Sequence, residues 1–333
     1  MTVRQGIAIF ALCALEIPAF SAPGSPQPAV PQEKAAGSPL NGLWEIIRQT
    51  ESRLDRANQS AELTGSGPYP ARSEVDLANP NVTIYRPADL SATDGRKLGV
   101  LVWGNGGCSN DGASARAYLA EIASHGYLVV APGKPLTGPM PLAGAPVSKL
   151  MQTTIDDMRS ALNWALAENR RAGSPYRGRI DPKLVAAAGH SCGGMLAILL
   201  AEDPRVNTVI IQNSGIFPAL PDNPPLVMHE ERLKGLHTSV LLLVGGKDDV
   251  AWPVTQSAFD HLPDHPAFLA SMNVGHEGTF AEPHGGAMAK VAVSWLEWQL
   301  RHDAKAGTVF VGKNCALCID SKWSIRTKRI SDR

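Results

Sequence analysis

Three short stretches carry side chains whose types and order suit nucleophilic chemistry. They are Gly189-His190-Ser191-Cys192-Gly193, Gly245-Gly246-Lys247-Asp248-Asp249 and Val274-Gly275-His276-Glu277-Gly278. A serine hydroxyl attacks poorly until a neighbouring base removes its proton. Histidine titrates near neutrality, so it can take that proton and later return it to a leaving group. A carboxylate fixes the imidazole tautomer and stabilises its charged form. Ser191, Asp248 and His276 are the residues expected in these roles, with Asp249 as the substitute acid. His190 reads as a packing or pocket residue, His284 as a surface residue and Glu277 as solvated. A zinc-type H-E-x-x-H is ruled out by Phe280.

Such side chains work only when something holds them. The serine lies in G-x-S-x-G, between an apolar run at 184–188 that suits a buried strand and an Ala/Leu-rich run at 192–201 that suits a helix. That context predicts a sharp strand-to-helix turn that exposes the hydroxyl beside a helix N-terminus. Further strands are expected at 75–77, 82–86, 98–103, 127–131, 206–212, 240–244 and 268–273, with a turn at Asn79-Pro80-Asn81 and another at Asp94-Gly95. Helices are expected at about 113–124, 150–169, 253–262 and 286–301. Alternation of strands and helices predicts an α/β fold, a mostly parallel central sheet flanked by helices on both faces. Ligands then bind at the carboxyl ends of strands, where all three stretches fall. The Pro-rich connection at 214–237 is long enough to shape a pocket.

A tetrahedral intermediate needs preorganised donors for its negative oxygen. The backbone amide of Cys192, just after the serine, is expected to be one. The other is assigned to Asn105 in the glycine-rich loop Gly104-Asn105-Gly106-Gly107-Cys108, with Gly104 or Gly106 as alternatives.

Lys and Arg total 31, equal to Asp and Glu, so charge gives no reason to propose a nucleic-acid partner. The N-terminus has Arg4, an apolar stretch at 6–15 and small residues at Ala19, Ser21 and Ala22. This reads as a secretory signal peptide over residues 1–22 and an exported, secreted or periplasmic protein. A Pro/Ala-rich leader is expected at 23–39, an amphipathic helix at 40–63, and a solvated, cysteine-containing tail at 307–333. No segment after the signal is long and apolar enough to span a membrane. Loss of Cys13 with the signal leaves Cys108, Cys192, Cys315 and Cys318, which allow three pairings. The expected pairs are Cys315–Cys318 and Cys108–Cys192, the latter tying together the two loops of the oxyanion site. The expected chemistry uses no cofactor and no metal.

Residues 65–301 resemble the dienelactone-hydrolase-type branch of the α/β-hydrolases, in particular secreted bacterial cutinases and polyester hydrolases. The resemblance is carried by Gly67-Pro68-Tyr69-Pro70, Thr83-Ile84-Tyr85-Arg86-Pro87, Ala123-Ser124-His125-Gly126-Tyr127, Ile180-Asp181-Pro182, the Ser191 stretch, Lys247-Asp248-Asp249-Val250-Ala251 and Gly275-His276. It implies an α/β-hydrolase domain over 40–306, a serine esterase acting through an acyl-enzyme on a small-molecule or polymeric ester, and Ser191, Asp248 and His276 as triad. His190 and Cys192 stand where that group has Trp and Met. Ile216 falls near the position of an aromatic residue that clamps aromatic polyesters. These departures separate the chain from the polyester-specific pattern. A serine peptidase, or a non-catalytic binding protein on the same scaffold, is the alternative use of this fold.

Overall fold

A computed structural model describes residues 63–76, 79–93, 95–138, 153–217 and 228–330. The expected signal peptide, leader and first amphipathic helix, the turn at Asp94 and the middle of the 214–237 connection lie outside the described residues.

Nine strands form one sheet in the order β1-β2-β4-β3-β5-β6-β7-β8-β9. They are β1 (Ala71–Asp76), β2 (Asn79–Pro87), β3 (Leu98–Gly104), β4 (Tyr127–Pro132), β5 (Ile180–His190), β6 (Thr208–Gln212), β7 (Ser239–Val244), β8 (Ala267–Met272) and β9 (Trp323–Lys328). From β4 to β8 every pairing is parallel, whereas β1, β2 and β9 join antiparallel at the edges. Near-continuous apolar runs such as Ser-Val-Leu-Leu-Leu-Val in β7 suit strands covered on both faces, and every residue of β3, β4 and β7 is buried.

The covering helices are α1 (Arg116–Ser124), α2 (Ile155–Glu168), α3 (Cys192–Leu200), α4 (Trp252–His261) and α5 (Gly286–Arg301). Met158, Leu162, Leu196 and Phe259 of α2, α3 and α4 pack on one face with Val100, Val102 and Val209. Tyr118, Leu119, Trp295 and Leu296 of α1 and α5 pack on the other with Leu101, Trp103 and Leu241. A capping box starts α2: the Thr154 hydroxyl accepts from the Asp157 amide, and the Asp157 carboxylate accepts from the Thr154 amide at 2.8 Å. This is the α/β class expected from the sequence, a mostly parallel sheet with helices on both faces. Among the described residues no helix is long and apolar enough to cross a membrane.

Two expectations change. Asn79 and Pro80 already belong to β2, with Asn79 paired to Asp76, so the Asn-Pro-Asn signal falls inside a strand and not on a turn. The terminal stretch is not simply a solvated tail. After two single-turn helices, α6 (Ala304–Gly307) and α7 (Ala316–Ile319), the chain forms β9 along the free edge of β8, pairing from Ala267↔Lys328 to Met272↔Trp323. Trp323 and Ile325 alternate with Ser324 and Arg326, the period-2 pattern of a half-buried strand. The Arg326 guanidinium pairs with Asp260 of α4 at 2.5 Å.

Candidate active site

β3 lies between β4 and β5, so the chain leaves β3 in one direction and returns on its other side. Carboxyl-end loops diverge at such a switch point and leave room for a ligand. Four adjacent strands, β5 to β8, deliver Ser191, Asn213, Asp249 and His276 at that end.

Ser191 joins β5 to α3 with φ 52° and ψ −123°, a strained conformation for a residue with a Cβ. Its amide donates to the Gln212 carbonyl at 2.9 Å, and its carbonyl accepts from the Ser214 hydroxyl at 2.6 Å. The turn closes only because its neighbours lack side chains. A Cβ on Gly189 would lie 2.1 Å from the Gly193 carbonyl oxygen, and one on Gly193 would lie 2.1 Å from that of Gly104. The motif glycines therefore seat α3 against both β5 and the β3 loop.

His276 Nε2 is 2.9 Å from Ser191 Oγ, and its Nδ1 is 2.6 Å from Asp249 Oδ1. A carboxylate can only accept, so Nδ1 carries the proton and Nε2 presents its lone pair to the serine hydroxyl. All three side chains are buried. Asp249 Oδ1 also accepts from the Ala251 amide at 2.8 Å, and Oδ2 accepts from the Gly245 amide at 3.0 Å and from Asn213 Nδ2 at 2.7 Å. Burial pushes the Asp249 carboxyl up, but the His276 hydrogen bond and charge and the two amides outweigh it and hold the group below its usual value.

The sequence assigned the acid to Asp248, and the structure corrects this. Asp248 is exposed, whereas Asp249 is 2% exposed and faces His276. The reason is the turn after β7. The Asp249 amide donates to Gly246 O at 3.1 Å, with Gly246 at φ 93°. The turn bends its fourth residue back over the strand end and leaves the third on the outside. The signal available in the sequence was distance to the helix start: Asp249 accepts from the amide of Ala251, the N-cap of α4.

Asn105 lies in the expected loop, but its side chain is committed elsewhere. Nδ2 donates to the Ser109 carbonyl at 3.1 Å and to the Pro132 carbonyl at 2.6 Å. Cys192 opens α3, and its sulfur bonds Cys108 at the end of the same loop, with Cα atoms 5.2 Å apart. Cys315 and Cys318 form the second disulfide. His284 is exposed, as expected of a surface residue, and Glu277 is half-buried.

His190 supports His276 from behind. Its Nε2 donates to the His276 carbonyl at 2.8 Å, and its ring sits 4.9 Å from the Phe280 ring in an edge arrangement. Burial, then the nearby His276 charge, pushes its pKa down to about 3, so it stays neutral. Asn213, which bridges the Asp249 and His276 loops, was not singled out in the sequence, where an isolated Asn after a strand carries no distinctive pattern.

No protein-family model matches the chain. Over 83 residues, 25% of the chain, it is 39% identical to chlorophyllase-1 of Arabidopsis thaliana, and the aligned stretch spans 22% of that protein's length. Together with the fold, this likeness supports a hydrolase.

Proposed function

We propose that the protein is an exported serine esterase that cleaves carboxylic esters through an acyl-enzyme. The observation that carries this reading is the continuous hydrogen-bond chain from Ser191 Oγ through His276 to Asp249. In the first half-reaction Ser191 Oγ attacks the ester carbonyl as His276 Nε2 takes its proton. The tetrahedral oxyanion is held by the backbone amides of Cys192 and Asn105. Collapse breaks the bond to the alcohol, which leaves with the proton from His276. In the second half water gives its proton to His276 and attacks the acyl carbon. Ser191 then leaves, recovering the proton, and the acid is released. Asp249 stabilises imidazolium in both halves.

The partial likeness to chlorophyllase-1, an ester hydrolase, supports ester over amide substrates. The motif resemblance to secreted cutinases of the dienelactone-hydrolase type supports the same class. Two disulfides and the N-terminal signal pattern support export to an oxidising compartment. The test is a series of p-nitrophenyl esters of increasing acyl length beside peptide and polyester-film substrates. Turnover of the esters, abolished in Ser191→Ala, is expected. Peptide cleavage without ester cleavage would overturn the assignment.

A further inference from the structure

We propose that Asn213 is a positioning residue for this reaction, its amide coupling the Asp249 carboxylate to the backbone of the His276 turn. The inference rests on the serine-esterase reading and goes beyond its three side chains.

Asn213 follows β6, between the strands that deliver Ser191 and Asp249. Its Nδ2 donates to Asp249 Oδ2 at 2.7 Å and to the Gly275 carbonyl at 3.2 Å. One amide group thus touches both the acid and the residue before the base. The other amide donors to Asp249, Gly245 and Ala251, belong to its own loop. Asn213 ties that loop to the end of β6, as His276 ties it to the end of β8. On the far side of the same turn His190 Nε2 holds the next carbonyl, that of His276, so two successive peptide carbonyls are held by buried side-chain donors.

Two features show that the placement is costly on structural grounds alone. Asn213 has φ 48°, a left-handed conformation that Asn tolerates better than most residues with a Cβ. Its Oδ1 is buried without a donor among the described residues, a cost an apolar side chain would avoid. The amide is oriented so that both of its good contacts fall on the His276–Asp249 unit.

Several charged and titratable groups flank that unit. Among the described residues, those on the strand ends and loops that carry the unit are His190 from β5, Lys247 and Asp248 on the exposed part of the acid loop, and Glu277 next to the base. The β3 loop from Gly104 to Gly107 contributes no titratable side chain. Removing a neutral donor from the carboxylate raises the proton affinity of the Asp–His pair, so the acid limb of the rate profile moves to higher pH.

Asn213→Gly keeps the left-handed backbone and deletes the amide. Asn213→Asp keeps the shape and replaces the donor by a second carboxylate. Both are measured on p-nitrophenyl butyrate across pH, beside the rate of inactivation by a fluorophosphonate. Asn213→Gly is expected to lower kcat by about ten- to a hundredfold with little change in KM, and to move the acid limb up by about half a pH unit. Asn213→Asp is expected to move it further, because two adjacent carboxylates share a proton. A folded Asn213→Gly with kcat within about twofold of the parent and an unmoved acid limb would overturn the proposal. So would failure of both variants to fold, which would assign Asn213 to stability alone. If Ser191→Ala retains turnover, the esterase reading fails first. If Ser191→Ala is silent while both Asn213 variants keep the parent profile, only the role of Asn213 fails.

Discussion

His190 donates through Nε2 to the backbone carbonyl of His276 at 2.8 Å, with ring centroids 5.0 Å apart, so one histidine acts as a neutral support for the other. His190 is held down to about 3 in the fold against 6.5 for a free imidazole. Between those values the unfolded chain binds the extra proton, so His190 stabilises the fold above pH 6.5 and that contribution is lost as pH falls toward 3. The melting temperature should therefore drop on acidification below about pH 6.5, with a shallower drop in His190→Gln. Equal slopes in parent and variant would show that His190 is not the buried neutral group described. Asp249, also depressed, contributes stability that is lost only at lower pH, below its ordinary value of 3.8.

The acid assignment separates two adjacent residues. Asp249→Asn should lower kcat by about three to four orders of magnitude, because the amide disturbs the imidazole tautomer. Asp248→Asn, at an exposed position, should stay within about threefold of the parent. Steady-state kinetics on the same ester would decide, and the reverse ranking would restore Asp248.

The Cys108–Cys192 bond closes a separation of 84 residues and ties the β3 loop to the first residue of α3. Replacing both by Ala should cost about 2–5 kcal/mol of stability. It should also lower kcat about tenfold or more, since the two loops carry the proposed oxyanion donors. The Cys315–Cys318 pair spans a separation of only 3, and its removal should leave kcat unchanged. Thermal melts and kinetics on the two double variants, with and without dithiothreitol, check both statements. Equal effects from both would contradict a special role for the first bond.

β9 covers the edge of β8, and its Lys328 ammonium donates to the carbonyls of Asp260 and Leu262 at 3.1 and 2.9 Å. Removing residues 320–333 uncovers that edge, and an unpaired edge recruits other chains. Size-exclusion chromatography should show oligomers or aggregates of the truncated protein. A truncated protein that elutes like the parent would mean that β9 is dispensable for protecting the sheet.

Much of this organisation was legible in the sequence because it depends on local pattern. The apolar runs of β3 and β7 and the Gly-x-Ser-x-Gly turn announce themselves in consecutive residues. The features that were missed depend on where a turn points or on what lies across the sheet. Asp248 and Asp249 are chemically identical, and only the backbone turn at Gly246 separates the buried one from the exposed one. Asn213 gains its meaning from Asp249 and Gly275, which are 36 and 62 residues away. β9 does alternate apolar and polar residues, but its Arg and Lys made six residues resemble a solvated end rather than an edge strand held by Asp260.

The proposed chemistry requires that Ser191 be a nucleophile activated by His276. Labelling with a fluorophosphonate, followed by peptide mass mapping of the parent and of Ser191→Ala and His276→Ala, tests it without knowledge of the natural ester. A single adduct on Ser191 is expected, absent from Ser191→Ala and formed at least about a hundredfold more slowly in His276→Ala. No adduct on the parent protein, or one that persists in Ser191→Ala, would contradict it.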